Sequence, residues 1–492
     1  MRRHTVLLSL LFLTLLAGFF RFYHLDNLPL GLYHDEGMNG NDAVNANRTT
    51  DWKIFYPANG GREGLFINLQ AVSIMLFGAT PWALRAVSAL MGVLTVLGLY
   101  MLVRDLYGER HALIAGVLQS VLIWPVIVSR LGLRVNVAAA ILVWMLWAMM
   151  RAYDLGQSSS KRRSLYAIFA GILLGLGFHS YISYRIVPLF ALAIIFIAWR
   201  EKRSRIVSVS ATIAIAAAVV ATPLLIYFLS HPNDFASRAQ SVSIFTSPHP
   251  LHTFLGNIAK EAMMCFYRGD LNWRHNYSGA PMLFWGAGIF LLAGGVLLIV
   301  NLSRKSEESR WREQILLAWL VIGSIPGVLS AEAFPHGLRL LIIAPALCVI
   351  AAIGLVKVAE WIHAKLPHAG PSWQTAFIAF VLLGTTFFEY RSYFVGYANE
   401  PGVRAAFAYD QFDLAQALVH GQPDPKRRVI VGRDTSLAYG IPIDAQAFAF
   451  LTQTLSAEEQ ARKNIHYAVE GRFLRSDSEL YIDLPPVSER GY

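Results

Sequence analysis

Two cysteines in 492 residues, Cys265 and Cys348, exclude a disulfide framework. Cys348 also lies inside an apolar run and cannot easily reach Cys265. Charge is scarce: Asp, Glu, Lys and Arg make up 15% of the chain, against about 25% in soluble domains, which excludes the ordinary soluble globular class. No repeat or low-complexity tract stands out. The chain is instead 55% hydrophobic, with apolar runs of about 20 residues, long enough to span a bilayer, recurring along most of its length. Most of the net charge of +10 sits in short clusters between those runs. There it serves orientation, and it is not read as a nucleic-acid surface.

Arg2, Arg3 and His4 precede the apolar stretch 5–20, and Arg21-Phe22-Tyr23 follow it with no small-residue cleavage site. The reading is an uncleaved first span with its basic end in the cytoplasm. Ten further spans are expected near 82–103, 112–128, 135–151, 165–180, 186–200, 206–229, 282–301, 314–330, 338–360 and 374–391. The apolar piece 65–78 is short, carries Asn68 and Gln70, and ends at Gly78 with Pro81 close behind. If it lies along the surface, Arg104, Arg110, Arg151, the 161–163 cluster, the 200–205 cluster and the 304–312 cluster all face the cytoplasm, as the positive-inside rule requires. Eleven spans then place the chain ends on opposite sides. The expected architecture is an all-α polytopic transmembrane domain, 1–391, whose first outer loop, 23–81, carries interfacial helices. A small extracytoplasmic α/β domain, 392–492, follows. That tail has turn residues at 422–425, a strand-like 428–431 and a helix-like 455–464.

The two faces differ in chemistry. Inner loops are mostly basic, whereas outer loops combine carboxylates, arginines, histidines and aromatic residues. The first outer loop holds His34-Asp35-Glu36 and later Arg62-Glu63. Carboxylates are costly near a bilayer, so a pair held at its edge is a functional candidate. Span edges add Arg130, Arg134, Tyr181, Tyr184 and Arg185; the long loop adds Asp270, Arg274 and His275; the last short loop adds Glu332, His336 and Arg339. A carboxylate can act as general base on a hydroxyl or amine. Arginines bind phosphate bidentately and stabilise it as it leaves. Tyrosine, tryptophan and asparagine suit a sugar lining. Each residue also has a plain structural reading: Asp35 as a helix cap, Glu36 as an arginine's partner, Arg62-Glu63 as a surface ion pair, Arg130 and Arg134 as snorkelling anchors.

Taken in order, these segments resemble the GT-C type integral-membrane glycosyltransferases, in the protein O-mannosyltransferase and aminoarabinose-transferase superfamily, over roughly 21–400. Asp35-Glu36 resembles the acidic pair of that family's first outer loop. Gly61-Arg62-Glu63-Gly64-Leu65, Leu76-Phe77-Gly78 and 85–90 resemble the stretch that closes the loop and opens the next span. Residues 181–185 are similar to a tyrosine-rich span edge, and 268–276 with Glu332 and 335–339 to segments of a bacterial branch. Many relatives carry Lys or His beside a Pro-Pro where this chain has Arg62-Glu63-Gly64.

The resemblance implies an inverting single displacement on the outer face of the membrane, and the basic inner loops and lack of sorting signals fit a bacterial plasma membrane and cell envelope. A sugar would move from a polyprenyl-phosphate donor to a protein, lipid or glycan acceptor. Asp35 would be the catalytic base, and Arg62, Arg185 or Arg339 would steady the departing phosphate. Glu36 and Glu63 would position the acceptor or tune those arginines. Arg130, Tyr181, Tyr184, Asp270, Arg274, His275, Glu332 and His336 complete the expected substrate contacts. No metal ligand set is assigned, since His275 and His336 show no close carboxylate–histidine spacing in the sequence; relatives need not use a divalent cation, and its participation is left open. The partners are membrane lipids and these substrates, with no nucleic acid. A transporter or lipid flippase would share the spans but usually shows internal symmetry and interrupted helices near mid-bilayer. A non-catalytic scaffold would show no dependence on Asp35.

Overall fold

The computed structural model describes residues 2–155, 162–303, 310–331, 335–365, 370, 372–421, 426–473, 475–476 and 478–485. Among the described residues, seven helices are long and apolar enough to cross a membrane: His4–Phe22, Pro81–Tyr107, Val135–Ala152, Ile182–Arg200, Ile206–Ser230, Trp285–Ser303 and Leu341–Lys365. The other four expected spans are helical but fall short singly. Glu109–Val121 and Ile123–Ser129 form one apolar pair bent by 58°, which makes eight if counted as a single span. Arg163–Gly177 is short, Arg310–Val328 opens with three charged residues, and Ser372–Tyr390 mixes Gln, Thr and Glu into its apolar run. The bend follows Leu122 and precedes Pro125, which has no N–H to continue the ladder. The freed backbone N–H of Ile123 donates instead to Glu389, 3.1 Å away.

The bundle closes through small residues. A Cβ at Gly294 would lie 1.9 Å from the Ile350 carbonyl oxygen, and one at Gly354 would lie 1.9 Å from that of Phe290. Helices Trp285–Ser303 and Ala344–Lys365 therefore touch backbone to backbone, the close approach that small residues permit between apolar helices. Gly171 and Gly175 seat Arg163–Gly177 against Ile206–Ser230 in the same way. Both cysteines are buried free thiols.

The apolar piece in doubt is the helix Gly64–Phe77. Fourteen residues reach only about 21 Å, short of the ~30 Å hydrocarbon core. Its polar side bonds to its neighbours: Gln70 to the Leu84 carbonyl at 3.0 Å, and Ser73 to that of Ala83 at 2.7 Å. Met75, Leu76 and Phe77 are exposed.

The tail folds as a small α/β unit around a three-stranded parallel sheet. Arg427–Gly432 is central, flanked by Ile465–Val469 and Glu479–Asp483. The expected strand and the helix Ala457–Lys463 are both present, while 422–425 lies outside the described residues. This unit docks on the first-loop helix His34–Thr49. Gly37 makes the contact possible, because a Cβ there would sit 2.2 Å from the Ala447 Cα. Asn41 donates to the Gln446 carbonyl and side-chain oxygens at 2.9 and 2.8 Å. Arg48 pairs with Glu459. Gly37→Ala should push the helix Gln446–Thr452 off its seat and cost about 1–3 kcal/mol. Limited proteolysis between 400 and 460 would read the loss, and an unchanged cleavage pattern would count against this docking.

Candidate active site at the first loop

The helix His34–Thr49 is polar on nearly every side, yet it is buried from Glu36 to Ala43. Such a helix survives only if its polar groups find partners. Glu36, fully buried, accepts from the Arg85 Nε at 3.0 Å, from the Gly132 N–H at 2.7 Å and from its own helix start at the Tyr33 N–H, 3.3 Å away. Arg85 also donates to the Pro29 and Gly31 carbonyls at 2.9 and 2.7 Å. This pair pins the loop to the head of the helix Pro81–Tyr107. The geometry leaves Glu36 as a structural partner with its oxygens engaged.

Asp35, next in line, is different. Its side chain keeps 36% of its exposure. It accepts from the Asn59 amide at 2.6 Å, with the His34 Nε2 3.6 Å away. Burial pushes its carboxyl up, but His34, the Asn59 hydrogen bond, Arg274 and Arg62 together outweigh that and hold it below the usual carboxylate value. The result is an ionised, reachable carboxylate in a cationic setting.

Arg62 is buried among fixed partners: Asp42 at 2.5 Å, Asn39 at 2.8 Å and the Ala58 carbonyl at 3.3 Å. The other Asp42 oxygen accepts from the Tyr439 hydroxyl of the tail at 2.6 Å. Burial and the adjacent Asp42 push the Tyr439 phenol well up, so it stays a donor. The neighbouring Glu63 pairs with the Arg134 Nε at 3.1 Å, and that guanidinium lies 5.5 Å from the centre of the Tyr181 ring. The short antiparallel ribbon Phe55–Tyr56 with Arg62–Glu63 sets these two charges on the same loop.

The remaining expected residues fall into two groups. Arg130 is saturated by the Tyr393 hydroxyl at 2.8 Å and by the carbonyls of Phe20, Tyr23 and Leu28 at 2.8–3.0 Å. Tyr184 is fully buried with its hydroxyl 3.4 Å from the Leu173 carbonyl. Arg185 donates to the Phe235 carbonyl at 2.8 Å and stacks on that ring at 4.4 Å. These three are tied to the scaffold. The second group gathers beside the first loop. The Arg274 guanidinium lies 3.7 Å from the Tyr33 ring centre, and Tyr33 in turn packs on His34. Asp270 accepts from the His275 Nδ1 and the Gly337 N–H, both at 2.7 Å, while the His275 and His336 rings lie 4.7 Å apart. Arg339 bonds to Ser330. Burial first, then His275 and Arg339, pushes His336 well below the ordinary histidine value. Glu332 lies outside the described residues.

Asn59 and Tyr439 escape a reading of the sequence for catalytic types, and Arg85 and Asp42, though visible in the outer-face segments, are given no role by it. Arg85 carried a usable signal, being a charge near the start of an apolar span. Tyr439 carried none, since its partner is almost 400 positions away.

Residues 65–227 match the family model described as dolichyl-phosphate-mannose-protein mannosyltransferase. A putative mannosyltransferase of Bacillus subtilis, YkcB, is 29% identical over 161 residues, which is 32% of this chain and 22% of that protein. Among solved structures, the oligosaccharyltransferase AglB of Archaeoglobus fulgidus, in complex with an inhibitory peptide and a dolichol-phosphate, superposes with a TM-score of 0.59 at 16% identity. The match covers 92% of this chain but 64% of that one. ArnT of Cupriavidus metallidurans, bound to undecaprenyl phosphate, gives a TM-score of 0.56 at 14% identity, covering 93% and 89%. Asp35 and the 270–339 cluster lie outside the family-model match, so no role comes to them from it. The chain is thus a polytopic protein with the fold of the GT-C enzymes AglB and ArnT, and its residues 65–227 match the dolichyl-phosphate-mannose-protein mannosyltransferase model.

Proposed function

We propose that this protein transfers a sugar from a polyprenyl-phosphate-linked donor to an acceptor on the outer face of a bacterial plasma membrane, in one inverting displacement. The observation that carries the reading is Asp35: an ionised, partly exposed carboxylate at the head of a helix whose neighbouring carboxylate is locked away. In the reaction Asp35 takes the proton of the acceptor hydroxyl or amine as that atom bonds to the sugar C1. The bond from C1 to the phosphate oxygen breaks with its electron pair, and polyprenyl phosphate leaves. Arg274, which acts on Asp35 electrostatically, is assigned to steady the departing charge, together with Arg339. Arg62, held by Asp42, Asn39 and the Ala58 carbonyl, acts on the base electrostatically rather than reaching for phosphate. The AglB and ArnT complexes with lipid phosphates support the donor class by fold likeness.

The test uses membranes containing the chain, incubated with labelled sugars on polyprenyl phosphate or on nucleotides. Label should leave the lipid fraction from polyprenyl-phosphate donors only. Label released from nucleotide sugars alone would overturn the donor assignment. The bent helix pair 109–129 favours a transporter as the second reading; movement of intact donor across the bilayer, without cleavage, is its signature.

The pH profile gives a second check. A lowered pKa keeps Asp35 in its base form to lower pH, so the acid limb of kcat/KM should fall below the ordinary aspartate value of about 3.9, leaving activity flat from mildly acid to neutral. Asn59→Leu removes one of the groups holding that value down and should move the limb upward. A limb near neutrality, insensitive to Asn59, would assign the essential base elsewhere.

A further inference from the structure

On two loops well separated in sequence, one cluster is assigned no chemistry by the transfer step. Among the described residues, Asp270, His275 and His336 are the only three His, Cys, Asp or Glu side chains placed to share an ion, with one donor atom from each within 4.8 Å of the others. We propose that Asp270, His275 and His336 form a binding site for a zinc-class divalent cation.

The donor atoms are held close to one another before any ion binds. Asp270 is held on three sides: its Oδ2 accepts from the Gly337 N–H and the His275 Nδ1, both at 2.7 Å, and its Oδ1 accepts from the Asn272 N–H at 2.8 Å. An ionised carboxylate only accepts hydrogen bonds, so the His275 Nδ1 carries a proton. A cation entering between them displaces that proton, which leaves the Asp270 Oδ2 and the His275 Nδ1, already 2.7 Å apart, as two of its ligands. The His336 ring lies 4.7 Å from that of His275, and its buried Nδ1 has no hydrogen-bond partner among the described residues. A buried imidazole nitrogen left without a partner is costly unless something occupies it.

The surroundings keep the two rings close. The Gly337 carbonyl accepts from the Trp124 indole at 3.0 Å, and a Cβ at position 337 would lie 3.0 Å from the His275 Cβ, so glycine is what lets the loops meet. Two imidazoles with one carboxylate suit zinc or a neighbouring transition ion over magnesium, which demands an oxygen shell. Zn–N bonds are about 2.0–2.1 Å, so side-chain shifts on the order of 1 Å would close the shell. Three protein groups leave a fourth position for water or an anionic oxygen. Asp35 is not part of this set, and the proposal stands whether or not the transfer reaction does.

The test is metal binding itself, with the full chain purified in detergent and stripped of metal. Zinc retained after desalting, and the visible d–d bands of Co2+ standing in for it, should report one equivalent per chain bound through imidazole. Excess Mg2+ should not displace it. His275→Gln and His336→Gln should each weaken binding at least tenfold, whereas changing the exposed His249 and His252 to Gln should leave it intact. Equal retention in the wild type and both cluster variants overturns the site. So does a wild-type chain that gives no Co2+ spectrum, a result that stands even if the variants fail to fold.

Discussion

Asp35→Asn should lower sugar transfer by about 10²-fold or more, the usual contribution of a positioned general base, with the protein still folded. The substitution is nearly isosteric, and Asp35 makes one side-chain hydrogen bond to Asn59, so little structure depends on its charge. What is lost is the ability to take the acceptor's proton. Rate against acceptor concentration separates the effects: a base acting only in the transition state lowers kcat and kcat/KM together. A variant with normal kcat and raised KM would place Asp35 in acceptor binding. A variant with wild-type kinetics would remove it from the reaction.

Arg85→Met should fail in the opposite way, losing stability before chemistry. Arg85 and Glu36 are both fully buried and joined at 3.0 Å. Removing one partner of a buried pair leaves the other charge uncompensated, at a cost of about 3–5 kcal/mol. Glu36 would keep its bonds to the Gly132 and Tyr33 N–H groups, which soften the loss without neutralising the charge. Thermal unfolding in detergent should show a large fall in Tm, and the double variant Arg85→Met with Glu36→Gln should recover part of it. A single variant as stable as the wild type would mean that the first loop is held by its other contacts alone.

The two substitutions show what the sequence could and could not disclose. Spans were legible because apolar runs of 18 or more residues have few other uses. Residues 112–128 read as one span because hydropathy does not register the missing hydrogen bond near Pro125. The side chains at Asp35 and Glu36 are adjacent and chemically alike, so composition gave both a catalytic reading. Their roles part only when Arg85 and the Gly132 N–H, brought in from other elements, capture Glu36. Arg130 was ambiguous for the same reason: the carbonyls of Phe20, Tyr23 and Leu28 that surround it have no sequence signature. Asp270, His275 and His336 were each visible as polar loop residues, but the spacing that makes them a ligand set spans two loops and exists only in three dimensions. The tail's strand was readable from its β-branched run, whereas its latch through Tyr439 to Asp42 was not.

The most direct measurement is the anomeric configuration of the transferred sugar, read by NMR on product made by the wild-type chain from a donor of known configuration. A single displacement, with Asp35 activating the acceptor opposite the departing phosphate, predicts inversion at C1. Product with the donor's configuration retained would contradict it, because retention requires two displacements and a covalent sugar–protein intermediate that this account does not contain.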